Sequence, residues 1–94
     1  MPNSFALIGN YPNPFNPSTN IAYSIDMNSK VNVKIYSLLG EEITSLFSGD
    51  VNPGTHEVQW NGVDNAGVAV ASGVYIYRVE ANNQALTSKM MLLK

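Results

Sequence analysis

Apolar and polar residues alternate with a period of two through much of this chain, and that alternation limits what it can fold into. Ile21, Tyr23 and Ile25 are separated by Ala22 and Ser24, and Val31, Val33 and Ile35 by Asn32 and Lys34. Successive side chains on a strand point to opposite faces, so each run reads as a half-buried β-strand. Glu42 to Ser48, Thr55 to Trp60, Val74 to Ala81 and Ala85 to Leu93 extend the series, and Phe5 to Ile8 is a weaker member. No window supports a helix. The best attempt, Ser37 to Ser48, contains Gly40 and the β-branched Ile43 and Thr44, which disfavour it.

Turn residues punctuate the runs. Asn28-Ser29 and Leu39-Gly40 each separate two strands. Asn52-Pro53-Gly54 suits a type II turn, with proline second and glycine at the third, positive-φ position. Asn82-Asn83 is a two-residue link, and asparagine tolerates the left-handed conformation that tight hairpins need. Strands this close in sequence are most simply antiparallel. About seven short strands in 94 residues predict an all-β, immunoglobulin-like antiparallel β-sandwich. Ala71 to Tyr77 sharpens this. Tyr75 sits where such sandwiches carry a tyrosine corner, its hydroxyl bonded to upstream backbone, and Tyr77 stands where the second cysteine usually falls. Trp60, the one tryptophan, is expected in the core.

A chain of this length makes one domain, residues 1–94. Residues 1–18 read as a lead-in rich in proline and asparagine, and 19–94 as the sandwich. Pro12, Pro14 and Pro17 preclude a regular ladder between Asn10 and Ser18, since proline donates no hydrogen bond. That stretch is expected to run extended along the surface, with Tyr11 and Phe15 folded onto the sandwich.

Composition excludes several functions. The net charge of −2 offers no basic field for nucleic acid. No apolar run approaches the roughly 20 residues of a membrane-spanning helix. The absence of cysteine excludes thiol catalysis, disulfides and cysteine-ligated metals. The start of the sequence lacks the basic segment and apolar run of a secretory signal. The chain is therefore expected to be cytosolic or a module of a longer precursor.

No residue constellation supports catalysis, and no cofactor is expected. Glu41 and Glu42 face opposite ways if extended, and no other carboxylate pair is close enough in sequence for acid–base work. The single histidine, His56, lies on a strand and is expected to be exposed. No serine sits in a nucleophile elbow. Asn61 to Gly67 offers oxygen ligands but one charge, Asp64, so Asp64 is the candidate for no more than a weak calcium site. A turn in which Asp and Asn bond their own backbone explains the loop better. Tyr11, Phe15, Tyr23, Tyr36, Trp60, Tyr75 and Tyr77 could stack on sugars. Core packing explains most of them first, with Tyr11 and Tyr36 the expected exposed exceptions. In Lys89-Met90-Met91-Leu92-Leu93-Lys94 four apolar residues run together. Two readings stand: a fully buried last strand, or an edge strand displaying apolar side chains for a partner.

Three segments carry a family resemblance. They are Asn10-Tyr11-Pro12-Asn13-Pro14-Phe15-Asn16-Pro17-Ser18-Thr19, Val33-Lys34-Ile35-Tyr36-Ser37-Leu38-Leu39-Gly40-Glu41-Glu42, and Gly73-Val74-Tyr75 with Lys89 to Lys94. In this order they resemble the type A C-terminal sorting domain of type IX secretion cargo, over about residues 5 to 94. His56 to Gly67, running into Ala71 to Tyr75, also resembles the Ig-like domain of the flagellar hook-capping protein. That family occurs as a module at the ends of large secreted enzymes as well.

The sorting-domain resemblance implies a non-catalytic domain within a larger exported cargo protein. It would direct that cargo from the periplasm of a Gram-negative bacterium through the type IX translocon to the cell surface. A sortase-like surface protease commonly removes such a domain. The resemblance places recognition on Gly73, Tyr75, Lys89, Met90, Met91, Leu92, Leu93 and Lys94. The alternative is a structural or carbohydrate-binding Ig-like accessory module retained in a secreted enzyme or adhesin. An unpaired last strand could also pair with its own copy.

Overall fold

The computed structural model describes residues 5–14 and 18–93. Seven strands occur among them: β1 (Ala6–Tyr11), β2 (Thr19–Ile25), β3 (Ser29–Ser37), β4 (Glu42–Val51), β5 (Gly54–Trp60), β6 (Gly73–Ala81) and β7 (Gln84–Leu92). They form two antiparallel sheets, ordered β1-β2-β5 and β4-β3-β6-β7. The sheets pack face to face as a seven-stranded immunoglobulin-like sandwich. No helix among the described residues is long and apolar enough to cross a membrane.

The alternation places the core where the sequence predicts it. Ile21, Tyr23 and Ile25 of β2 face Val31, Val33 and Ile35 of β3 and Tyr75, Tyr77 and Val79 of β6, all buried. Trp60 closes β5 at 1% exposure and donates its Nε1–H to the Val63 carbonyl at 2.9 Å. Its ring meets Tyr75 edge-on, with centroids 5.3 Å apart. This contact joins the sheets at the end of the sandwich where β3, β5 and β7 finish and β2, β4 and β6 begin.

The turns behave in two ways. Asn82-Asn83 makes the expected two-residue hairpin between β6 and β7, with Asn82 at φ 57°. Leu38 to Glu41 closes the β3–β4 hairpin. There the Ser37 Oγ accepts from the Leu39 and Glu41 amides at 3.2 and 3.3 Å. The links around Asn28 and around Asn52-Pro53-Gly54 instead carry the chain from one sheet to the other, so β2–β3 and β4–β5 are sequential strands that do not pair. Gly54 does take the expected positive φ, at 133°.

The stretch read as a lead-in contributes a strand. Ala6–Tyr11 is a strand of the smaller sheet, paired with β2 from Ala6↔Ser24 to Tyr11↔Asn20. Asn10 and Tyr11 therefore belong to the ladder, which ends where Pro12 removes a donor. Tyr11 is 50% exposed, as expected of it among the aromatics and not folded onto the sandwich, and Phe15 lies outside the described residues.

Candidate functional site

The β6–β7 register assembles the residues that the sorting-domain resemblance marks. Gly73 pairs with Leu92, Val74 with Met91, Tyr75 with Met90 and Ile76 with Lys89. Residues 13 to 19 positions apart in the chain become cross-strand neighbours at one end of the larger sheet. Leu93 follows directly, and Lys94 lies outside the described residues.

These residues divide by face. β7 is an edge strand that alternates despite its unbroken apolar sequence. Met90 and Leu92 point into the core, at 2% and 0% exposure. Met91 and Leu93 point out, at 41% and 49%, and Lys89 is exposed. The last strand is thus neither fully buried nor wholly a display. One face closes the sandwich and the other is offered to solvent.

Gly73 and Tyr75 have local structural reasons to be where they are. Gly73 holds φ at 152°, a conformation that side chains rarely adopt, although the space around it is open. The Tyr75 hydroxyl donates to the Ala71 carbonyl at 2.6 Å. That is the tyrosine corner expected from the sequence, and it pins the strand's approach. Burial raises the Tyr75 phenol above its ordinary pKa of 10.0.

A residue that the sequence did not single out individually completes the site. The Met91 amide donates to the Asn13 Oδ1 at 3.1 Å, across 78 residues of chain. Asn13 is held in place from below. Buried Thr19 donates its hydroxyl to the Pro12 carbonyl at 3.0 Å and accepts from the Asn10 Nδ2 at 3.2 Å. A buried threonine so fixes the turn that the prolines begin. Asn13, Pro14, Val74, Lys89, Met90 and Met91 line an open cleft of about 390 Å³ at this junction.

The other candidates sit apart from this cleft. His56 is half-buried rather than exposed. Its Nε2 lies 2.7 Å from the Asn52 carbonyl, and its ring stacks obliquely on Tyr23 at 5.7 Å. Asp64 spends its Oδ1 on the amides of Ala66 and Val68, at 2.9 and 3.0 Å. Gly67 follows with φ 82°. Asn65 does not bond its own backbone, as the turn reading had it. Its Oδ1 accepts from the Thr44 hydroxyl at 2.9 Å and docks the loop on β4.

No cluster of three metal-ligating side chains occurs among the described residues. Glu42 forms an ion pair with Lys34 at 3.6 Å. Tyr23, Trp60, Tyr75 and Tyr77 are all core residues, and Tyr36 is half-buried. Tyr11 donates a short hydrogen bond to the Glu57 carboxylate. That bond, the charge beside it and a little burial raise the Tyr11 phenol above its ordinary pKa.

Fold and core together define an immunoglobulin-like sandwich whose last strand is the edge strand of its sheet. The family model of the FlgD Ig-like domain matches residues 16–85, and the chain belongs to that family. No curated protein matches the sequence. Among solved structures, the dimeric latent PorU of Porphyromonas gingivalis is similar at TM-score 0.79 and 23% identity, over 99% of this chain and 10% of that one. PorZ of the same organism is similar at TM-score 0.62 and 23% identity, over 96% and 11%. PorZ is described as an essential bacterial surface component of the type IX secretion system. The DNA-bound alkylpurine DNA glycosylase AlkC of Pseudomonas fluorescens is similar at TM-score 0.60 and 11% identity, over 100% and 32%. At these identities the likeness establishes the fold. The chain spans about a tenth of the PorU and PorZ chains.

Proposed function

We propose that this domain is a non-catalytic sorting domain of the type A class, carried within a larger cargo protein. It directs that cargo through the type IX secretion system to the cell surface. The translocon is its partner during export, and a sortase-like surface protease acts on it afterwards. The observation that carries this reading is the meeting of the opening motif and the terminal signature. Asn13, Gly73, Tyr75 and Lys89 to Leu92 are scattered over the sequence and meet on β7, Asn13 at its outer edge and Gly73 and Tyr75 across the ladder from β6. An unpaired edge is suited to strand addition by a receptor. The likeness to PorZ, a protein described as belonging to that system, points the same way.

The test is export of a periplasmic reporter fused to this domain in a host with type IX secretion. Deleting Lys89 to Lys94 is expected to trap the reporter in the periplasm. That deletion also removes Met90 and Leu92 from the core, so the cleaner variant replaces only the displayed Lys89, Met91 and Leu93. Loss of export from a fully folded variant supports the reading, and normal export defeats it.

The family match favours a second reading, an Ig-like structural module retained on a mature secreted protein. Mass spectrometry of the surface-located parent protein separates the two. Peptides of this domain persist in a retained module and are missing from a cleaved one.

A further inference from the structure

We propose that β7 carries a strand-addition site that Asn13 holds closed, and that its occupant is an extended peptide strand with a carboxylate opposite Lys89. This rests on reading β7 as the recognition strand. It adds the chemistry of the partner and the device that guards the edge.

The argument starts from the Met91 amide. β7 is the last strand of its sheet and is hydrogen-bonded to β6 on one side, while β1 of the other sheet lies across an open groove from Leu86 to Ser88. Along an antiparallel strand, alternate residues direct their backbone groups to opposite sides. Met91 donates to Asn13 and not to β6, so its amide faces the free side. Lys89 and Thr87, two and four residues earlier, face the same way. The Asn13 side-chain oxygen is an amide carbonyl, the same group that a neighbouring strand would supply. It occupies the acceptor position of a missing eighth strand.

The guard is built to be displaced. Its root is fixed by the Thr19 hydroxyl on the Pro12 carbonyl, while Asn13 itself is exposed and reaches β7 through one hydrogen bond. An incoming strand replaces that bond with one of the same kind and gains further ones along the edge.

Lys89 selects the occupant. It makes no ion pair among the described residues, and it lies beside exposed Met91 in the cleft that Val74 also lines. A lysine on an edge strand resists indiscriminate pairing. A strand that sets Asp or Glu opposite Lys89 and an apolar side chain opposite Met91 converts that resistance into cross-strand attraction.

The test uses the isotope-labelled chain and its Asn13→Ala and Asn13→Asp variants, the second of which keeps an acceptor oxygen. The probes are a synthetic peptide, Thr-Val-Thr-Glu-Thr-Val, whose valines share a face with the glutamate, and its counterpart with lysine for glutamate. Loss of one hydrogen bond is expected to speed Met91 amide exchange roughly tenfold in Asn13→Ala. Exchange in Asn13→Asp should stay near that of the unmodified chain. The glutamate peptide should bind Asn13→Ala roughly tenfold more tightly than the unmodified chain, shifting the Thr87, Lys89 and Met91 resonances. The lysine peptide should show no such gain.

Unchanged Met91 exchange in Asn13→Ala overturns the guard. Failure of the glutamate peptide to bind, equal binding of both peptides, or dimerisation of Asn13→Ala without peptide overturns the acidic occupant. Secretion does not enter these measurements, so a failed export experiment and a failed guard are told apart.

Discussion

The two halves of the core are built differently. At the end that carries β7's outer residues, Ile21, Ile35, Trp60, Tyr75, Tyr77, Met90 and Leu92 pack together. At the opposite end, Phe5, Tyr23, Ile25, Val31, Val33, Val79 and Ala81 do so. The first half contains side chains that also hold loops. Trp60 ties the Val63 carbonyl and Tyr75 the Ala71 carbonyl, so the long β5–β6 connection hangs from the core itself. The second half is mostly aliphatic, and the turn beside it is held by polar side chains at its rim, Asn82 on Ser29 at 3.2 Å. One half therefore couples packing to the shape of the surface above it, and the other mainly packs.

Truncation measures that difference. Trp60→Ala removes a fully buried indole and leaves the Val63 carbonyl without its donor. It should cost about 3–5 kcal/mol, a large part of the stability of a domain this small. Val79→Ala in the aliphatic half loses fewer atoms and no hydrogen bond, and should cost about 2 kcal/mol. Urea unfolding at neutral pH gives both values. Equal losses would break the distinction between the halves.

Within β7 the comparison sharpens to single residues. Met90→Ala and Leu92→Ala empty core positions and should each cost about 2–5 kcal/mol. Met91→Ala and Leu93→Ala remove displayed side chains and should stay within about 0.5 kcal/mol. If a displayed residue destabilises the fold as much as its neighbour does, the face assignment of β7 fails. If export is lost with Met91→Ala at unchanged stability, the outer face is separated from the core as the recognition element.

Much of this was legible in the sequence where local periodicity decides. Alternation marked the strands, Tyr75 found its upstream carbonyl as expected, and Trp60 is buried as expected. β1 was blurred because a register shift between Leu7 and Gly9 breaks its alternation. Met90 to Leu93 concealed its period because both faces of the strand are apolar, although only one is covered. Turn residues show that the chain reverses, but not whether it returns to its own sheet or crosses to the other, so the links at Asn28 and Asn52 gave no warning. The bond from Met91 to Asn13 had no signal of its own, because a contact between side chain and backbone 78 residues apart leaves no pattern in either segment. The resemblance alone placed both segments together in one family, without saying that they touch.

The smallest effect concerns the tyrosine corner and carries a sign that can be checked. Tyr75→Phe keeps the ring against Trp60 and deletes the hydroxyl on Ala71, for a loss of about 1 kcal/mol at neutral pH. Burial holds the Tyr75 phenol above its ordinary 10.0 in the folded chain, and the unfolded chain titrates near that ordinary value. Below pH 10 both states keep the proton, and the contribution of the hydroxyl is fully present. As pH rises past about 10 the unfolded chain releases its proton first, and stability falls. Burial shifts Tyr23 in the same direction, so it adds to the fall. Unfolding curves between pH 8 and pH 11 should therefore slope downward in both proteins, less steeply in Tyr75→Phe, with the gap between them narrowing as pH rises. Parallel curves would mean that the corner hydroxyl titrates alike in both states and that its bond to Ala71 does not hold the loop.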